Sequence, residues 1–238
     1  MARKQSQKRP SYKEQIKALT KISNAINSGL YLEDTLKLIV AVTAQAMRSN
    51  ICSLHLVDRE KQELVIRATQ SMSQEYNKKP PLKIGEGIAG KVVLQNKPIM
   101  VKDITQEKEY KYQDIAKKEG LCSLLCVPLS LRNGVIGVLN SYTSYPHEFT
   151  ETEIDVLKSI ANLASVAIEN SDLAARTKVI QEELDARKKI DRAKGILMRD
   201  EKLTEEESYL KIKKYSMDSR KSMKEIAEAI ILTDEMKK

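Results

Sequence analysis

The chain has 238 residues, enough for one domain of ordinary size and a smaller second one, each with its own core. No run approaches the roughly 18 to 20 uninterrupted apolar residues of a membrane span, and the first residues are basic and polar rather than the apolar core of a secretory signal; a soluble, cytoplasmic protein without a membrane partner is expected. The net charge of +8 gathers at the ends, with +6 in residues 1–21, +4 in 186–238 and −2 between them, as expected if an end rather than the body meets a polyanion.

Residues 1–12 read as a disordered basic tail. From Tyr12 the spacing of Ile16, Leu19, Ile26 and Leu30, with Ser23 filling the gap, predicts a helix. A second helix opens at Glu33 and Asp34, whose charges suit a helix N-terminus, and carries Leu36, Val40 and Met47 on one face. The period then changes to two. Cys52, Leu54 and Leu56 alternate, as do Leu64, Ile66 and Ala68, which predicts an antiparallel pair turning through Asp58 to Gln62. Residues 71–81 are polar, end in Pro80-Pro81 and read as loop.

Gly85-Glu86-Gly87-Ile88-Ala89-Gly90 opens a helix to about Asn96, and Pro98 precedes a short strand from Ile99 to Val101. A short helix near 109–118 ends at Gly120, and strands 121–131 and 135–142 flank a hairpin turn at Arg132-Asn133-Gly134, with positive φ expected at both Asn133 and Gly134. Thr150 and Glu153 form a capping box. Beyond it Ile154, Leu157, Ala161, Ala164, Ile168, Ser171 and Ala175 keep a 3-4 heptad, the seam of a coiled coil or of a helix packed on its own domain, before Leu173, Ile180 and Leu184 take over on a shifted face. A signalling helix joining two domains of a dimer fits both halves of that pattern. The last fifty residues read as three helices: the first spans Arg187 to Met198, and capping boxes start the others at Thr204 and Ser222. The third buries Met223, Ile226, Ala227, Ile230 and Ile231. The fold class is therefore α+β, an antiparallel sheet flanked by helices, followed by a long connecting helix and an all-α three-helix module.

Few residues suit catalysis. His55 sits in a predicted strand and His147 in a loop, without a companion nucleophile or metal ligands at useful spacing. Cys52, Cys122 and Cys126 lack the pairing of a zinc site. Along a strand the last two would lie about 13 Å apart, too far for a bridge, so buried thiols are expected. Gly85, Gly87 and Gly90 match GxGxxG, but neither a feeding strand nor a βαβ unit surrounds them; a tight turn and helix start is the preferred reading. No metal, cofactor or catalytic residue is assigned, and no acidic pocket suggests aspartyl phosphorylation.

Residues 20–170 resemble the GAF family through Gly85 to Gly90, Pro98 to Asp103, Val127-Pro128-Leu129, Gly134 to Leu139, Phe149-Thr150-Glu151 and Ala167 to Asn170. The resemblance implies a GAF-type antiparallel sheet with helices on one face and loops on the other, the loops covering a small-molecule pocket whose ligand is open. Residues 187–235 resemble an ANTAR domain through Arg187, Ala193-Lys194-Gly195-Ile196-Leu197-Met198, Glu206-Glu207, Tyr209, Ile226-Ala227 and Ile230-Ile231. Ser208 stands where that family usually has Ala, a change expected to matter little. The resemblance implies binding of paired RNA hairpins in nascent leader transcripts, blocking a terminator, usually as a dimer. The expected division is a tail at 1–12, a GAF-type sensor at 13–172, a helical coiled-coil linker at 173–186 and an ANTAR module at 187–238.

At 100° per residue, Ile190, Ala193 and Leu197 share one face of their helix, whereas Lys188, Arg192 and Arg199 cluster opposite, with Gly195 near that basic stripe. A mid-helix glycine costs roughly 1 kcal/mol against Ala, so close approach by a phosphate backbone or by another helix is expected there. The candidate RNA-binding residues are Arg187, Lys188, Arg192, Lys194, Gly195, Arg199 and Tyr209. Unpaired bases can stack on aromatics, although for Tyr209 and Tyr215 a core position is the stronger expectation. The expected function is a transcription antitermination regulator that is not an enzyme, with leader-transcript RNA, a second copy of itself and a small-molecule effector as partners. Two alternatives stay open: an enzyme resembling the free methionine sulfoxide reductases, and a purely protein-binding signalling module.

Overall fold

A computed structural model describes residues 12–27 and 31–236; apart from Tyr12 the basic tail lies outside them, as does Leu30. The described chain divides into two compact units, the first ending at Ser171 and the second starting at Asp172.

The first unit is built on a six-stranded, wholly antiparallel sheet in the order β3-β2-β1-β6-β5-β4, from β1 (Ile51–Asp58), β2 (Glu63–Thr69), β3 (Leu82–Lys83), β4 (Ile99–Val101), β5 (Ser123–Leu131) and β6 (Gly134–Thr143). Helices α1 (Tyr12–Asn27) and α2 (Leu32–Met47) and the start of α6 (Glu151–Glu201) share one core with Cys52, Leu54, Val127 and Leu139. The opposite face is covered by α3 (Gln74–Asn77), α4 (Gly87–Gln95), α5 (Gln113–Lys118) and their loops, around Tyr76, Val92, Ile104, Leu124 and Tyr142. With both faces covered, β1 and β6 are buried along most of their length.

Several expectations shift by a residue or a turn. Helix α1 buries Ala18, Ile22 and Ala25, while Ile16 is 63% exposed and Leu19 and Ile26 only flank the core. Small alanines allow close packing on α2, a preference that a count of large apolar residues does not register. In β2 the expected single face splits. The β1–β2 register jumps between Leu54–Ala68 and His55–Ile66, so Arg67 is an extra residue; this bulge turns Leu64 and Ile66 toward the loop-side core and leaves Ala68 on the helix side. The loop expected at 71–81 contains α3, started by Ser73, whose hydroxyl accepts the Tyr76 backbone N–H at 3.2 Å. Helix α5 begins only at Gln113. Leu131 pairs with Gly134, so the hairpin turn is Arg132-Asn133, and of Asn133 and Gly134 only the latter has positive φ, 113°.

The glycine run is explained by the backbone. Gly85 and Gly87 take φ of 86° and 61°, and a Cβ on Gly90 would lie 2.5 Å from the Lys83 carbonyl oxygen and 2.9 Å from the Gly85 nitrogen. A tight turn feeding α4 therefore accounts for all three.

In α6 the predicted heptad is a core seam at first: Leu157, Ala161 and Ala164 are buried and Ile154 and Ile168 pack beside them. Ser171 is half-buried and Ala175 exposed. Leu173, Val179, Ile180 and Leu184 then expose about half or more of their surface. Among the described residues no helix is long and apolar enough to cross a membrane.

The second unit contains the end of α6, α7 (Glu205–Ser219) and α8 (Met223–Glu235) around Ala193, Leu197, Ile212 and Ala227, with Met223, Ile226, Ile230 and Ile231 packed beside them. Its first helix is the continuation of α6 to Glu201, as the unbroken helical stretch after Thr150 predicts. Both capping boxes form, Thr204 with Glu207 and Ser222 with Glu225. Ser208 matters more than its size suggests, since it is fully buried and its hydroxyl has no hydrogen-bond partner among the described residues. Ser208→Ala is expected to raise the stability of this unit by about 1–3 kcal/mol, read as a higher calorimetric midpoint; an unchanged or lower midpoint would show that the hydroxyl is satisfied.

Candidate nucleic-acid face and ligand cavity

The predicted basic residues of α6 divide into two groups. Three are tied to carboxylates of the same unit. Arg192 donates to Glu235 Oε1 at 2.7 Å, and Arg199 donates to Asp200 Oδ1 at 2.7 Å and pairs with the buried Asp234 carboxylate. Lys194 lies 2.8 Å from both Asp191 Oδ1 and Glu205 Oε1, and these two carboxylates push its pKa up. Arg192 and Arg199 thus clamp α6 to α8, and Lys194 joins α6 to the start of α7. Their positions suited solvent on a bare helical wheel, which carries no information about carboxylates arriving from α7 and α8.

Arg187 and Lys188 are exposed and make no ion pair among the described residues, although Arg187 is close enough to Asp191 to lower its pKa. Lys213 and Lys214 of α7, which the sequence reading did not single out, are likewise exposed. Tyr209 and Tyr215 are 43% and 47% exposed rather than core residues, which leaves ring surface for stacking. Gly195 is exposed, and a Cβ built on it would meet nothing within 4 Å. No packing inside the described chain therefore requires a glycine at this position.

The first unit holds a different chemistry. Alternation along β1 and β6 turns Ser53, His55 and Asn140 to the loop face, where they meet Tyr76 and Lys79 from the α3 segment and Tyr110 and Tyr112 ahead of α5. Small cavities of about 20 Å³ and 90 Å³ share His55, Lys79, Leu82 and Tyr112 as walls. Ser53 Oγ lies 3.1 Å from His55 Nε2, 3.0 Å from the Tyr76 hydroxyl and 3.3 Å from Asn140 Nδ2. One proton order satisfies all three: the amide and the phenol donate to Ser53, which donates to a neutral His55. Burial, with the nearby Lys79 charge, holds the His55 pKa well below its ordinary value, as that order requires.

Lys79 is 9% exposed, with its ammonium 3.9 Å from the centre of the Tyr76 ring and 5.6 Å from that of Tyr112. It makes no ion pair among the described residues, and burial brings its pKa down to about 7. Of this cluster only His55 stood out in the sequence, because its members come from four separate segments, one of them taken for plain loop.

The cysteines do not form a reactive centre. Cys52 belongs to the helix-side core and Cys126 to the loop-side core, so the sheet separates them. Cys122 precedes β5, and all three thiols are free. Burial pushes the Cys52 thiol up to about 12 and raises Cys126 and Cys122 as well, which disfavours the thiolate form that a nucleophile needs.

Comparison with known proteins places two domains on this chain. A GAF domain profile matches residues 30–169 and an ANTAR domain profile matches residues 178–231. The Nif-specific regulatory protein of Herbaspirillum seropedicae is 26% identical over 188 residues, covering 74% of this chain and 34% of that protein; the chain spans about a third or less of the leading curated relatives it matches. Among solved structures, the GAF domain of a phosphoenolpyruvate-protein phosphotransferase from Coxiella burnetii superposes with a TM-score of 0.63 at 27% identity, covering 69% of this chain and 98% of that one. The free methionine-R-sulfoxide reductase of Neisseria meningitidis, solved with its substrate, shares the fold at a TM-score of 0.60 and 23% identity, covering 69% of this chain and 95% of that one.

Proposed function

The chain belongs to the GAF domain family and carries an ANTAR domain at residues 178–231, and on that premise we propose that it is an RNA-binding antitermination regulator whose GAF unit controls the ANTAR unit. The observation that carries the RNA reading is Gly195. It sits mid-helix at a cost of roughly 1 kcal/mol against Ala, with open space around it and Arg192 and Arg199 one turn to either side. A phosphate backbone approaching closely from outside gives that glycine a purpose. Arg187 and Lys188 supply cations that are not spent on carboxylate pairs, and Tyr209 offers an exposed ring. Arg192, Lys194 and Arg199 act chiefly by holding the three helices in place, with any contact to RNA secondary to that.

The protein acts as a homodimer in the cytoplasm. Leu173, Ile180 and Leu184 are largely exposed on α6, and a second copy of the same helix would bury them at heptad spacing. The reductase alternative is disfavoured by the raised thiol pKa values and by the sheet between Cys52 and Cys126.

The direct test is Arg187→Ala with Lys188→Ala, assayed against an RNA carrying paired hairpins over a salt series. Affinity is expected to fall, and the slope of log affinity against log salt to flatten by about 1 to 2, because each phosphate contact contributes roughly 0.7–0.9 to that slope. An unchanged slope with the helical content intact would remove these residues from the interface.

A further inference from the structure

Two groups in the GAF unit lack the partners that their burial demands. Lys79 places an ammonium inside the loop-side core with aromatic rings near it and, among the described residues, no carboxylate partner. Buried charges are ordinarily paired. Asn140 is 1% exposed; its Nδ2 donates to Ser53 Oγ at 3.3 Å, while its Oδ1 has no partner among the described residues. Exchanging the amide's nitrogen and oxygen would orphan donors instead, so the open position is an acceptor that awaits a donor. Lys79 and Asn140 both line the smaller cavity, and Lys79, with His55, Leu82 and Tyr112, is also a wall of the adjoining larger one beside Pro80-Pro81.

We propose that these two adjoining cavities together receive a small carboxylate with a neighbouring N–H or O–H, an α-amino or α-hydroxy acid of few carbons, with its anion on Lys79 and its donor on Asn140 Oδ1. The proposal rests on reading the GAF unit as a small-molecule sensor, and names the chemistry it senses. Size limits the class. A water needs about 10–15 Å³ of such space; the cavity of about 20 Å³ beside Asn140 takes little more than one polar group, and the adjoining cavity of about 90 Å³ takes the rest of the molecule, so together they hold a few heavy atoms and not a nucleotide. Charge sets the sign: Lys79 and Lys111 are the cations lining the space, and Lys111 is already paired with Glu86.

Binding is coupled to protons. In the free protein Lys79 gives up its proton near pH 7, and a bound carboxylate would hold that proton on. Affinity is therefore greatest below pH 7 and declines as pH rises above it, with proton uptake on binding. The other titratable groups around the lysine do not compete in that window: burial raises Tyr76, Tyr110, Tyr112, Tyr142 and Cys126 and keeps His55 neutral, and Glu86 is lowered by Lys111.

The experiment titrates the full chain with L-alanine, glycine, L-lactate and acetate, by calorimetry in buffers of differing ionisation heat, alongside thermal melts. At least one donor-bearing acid is expected to bind at least tenfold more tightly than acetate, with proton uptake above pH 7. Lys79→Met is expected to abolish that binding while raising the melting temperature of the free protein, since it removes an unpaired buried charge. Asn140→Ser should narrow the preference over acetate. Undiminished binding to Lys79→Met, or a melting temperature lowered by it with no effect on ligand, would make the lysine a packing element and overturn the proposal. If none of the four acids binds, the proposal fails; native mass spectrometry of the purified chain then separates the two readings, because a different bound molecule leaves the sensor standing and an empty chain removes both.

Discussion

Gly137→Ala is expected to destabilise the GAF unit by about 3 kcal/mol or more, toward the upper end of overpacking costs, which is a large part of the roughly 5–15 kcal/mol that holds a domain folded. A Cβ at this position would lie 2.1 Å from the His55 carbonyl oxygen, with Leu56 Cδ2 at 2.9 Å and Leu129 Cδ1 at 3.1 Å. The oxygen belongs to the β1 backbone, which pairs with β6 at Leu56–Gly137 and His55–Val138. It cannot withdraw without opening the central ladder of the sheet. Gly134→Ala is the control: its φ of 113° makes any side chain strained, yet nothing lies within 4 Å of the added carbon, so a loss of about 1 kcal/mol is expected from backbone strain alone. Chemical denaturation followed by circular dichroism would rank the two. Equal losses would mean that β1 and β6 do not approach as closely as described. Because His55 also lines the cavity, Gly137→Ala should weaken any ligand response along with stability.

The second large effect separates stability from function. Gly195→Ala is expected to stabilise the ANTAR unit by about 1 kcal/mol, because alanine is the better helix former and its methyl group meets open space. RNA affinity is expected to fall about tenfold in the same variant, equivalent to about 1.4 kcal/mol, as the methyl group holds the phosphate backbone away. Few substitutions move the two quantities in opposite directions, which makes thermal melting and RNA titration on one protein informative. Unchanged RNA affinity with improved stability would exclude a close approach of RNA at Gly195. A change in sedimentation without a change in RNA binding would instead assign the approach to the helix of a second copy.

The elements legible in the sequence are those whose signals are local. Alternation at Cys52 to Leu56, the Thr150, Thr204 and Ser222 capping boxes and the glycines around Gly87 each act within a few residues. Those constraints determined the longer strands, the capped helix starts and the turn into α4. The family motifs determined the two-domain order, which the domain profiles match.

Tertiary structure decided what depends on residues far apart in the chain. The bulge at Arg67 reassigned one face of β2 because register is a property of a strand pair. Arg192, Lys194 and Arg199 became ties between helices once α7 and α8 brought carboxylates to them. The same folding closed a core over Lys79 and Asn140 from segments sixty residues apart. Sequence can specify a lysine, but only the packing around it, by excluding water and supplying no acid, gives that lysine a need for an anion.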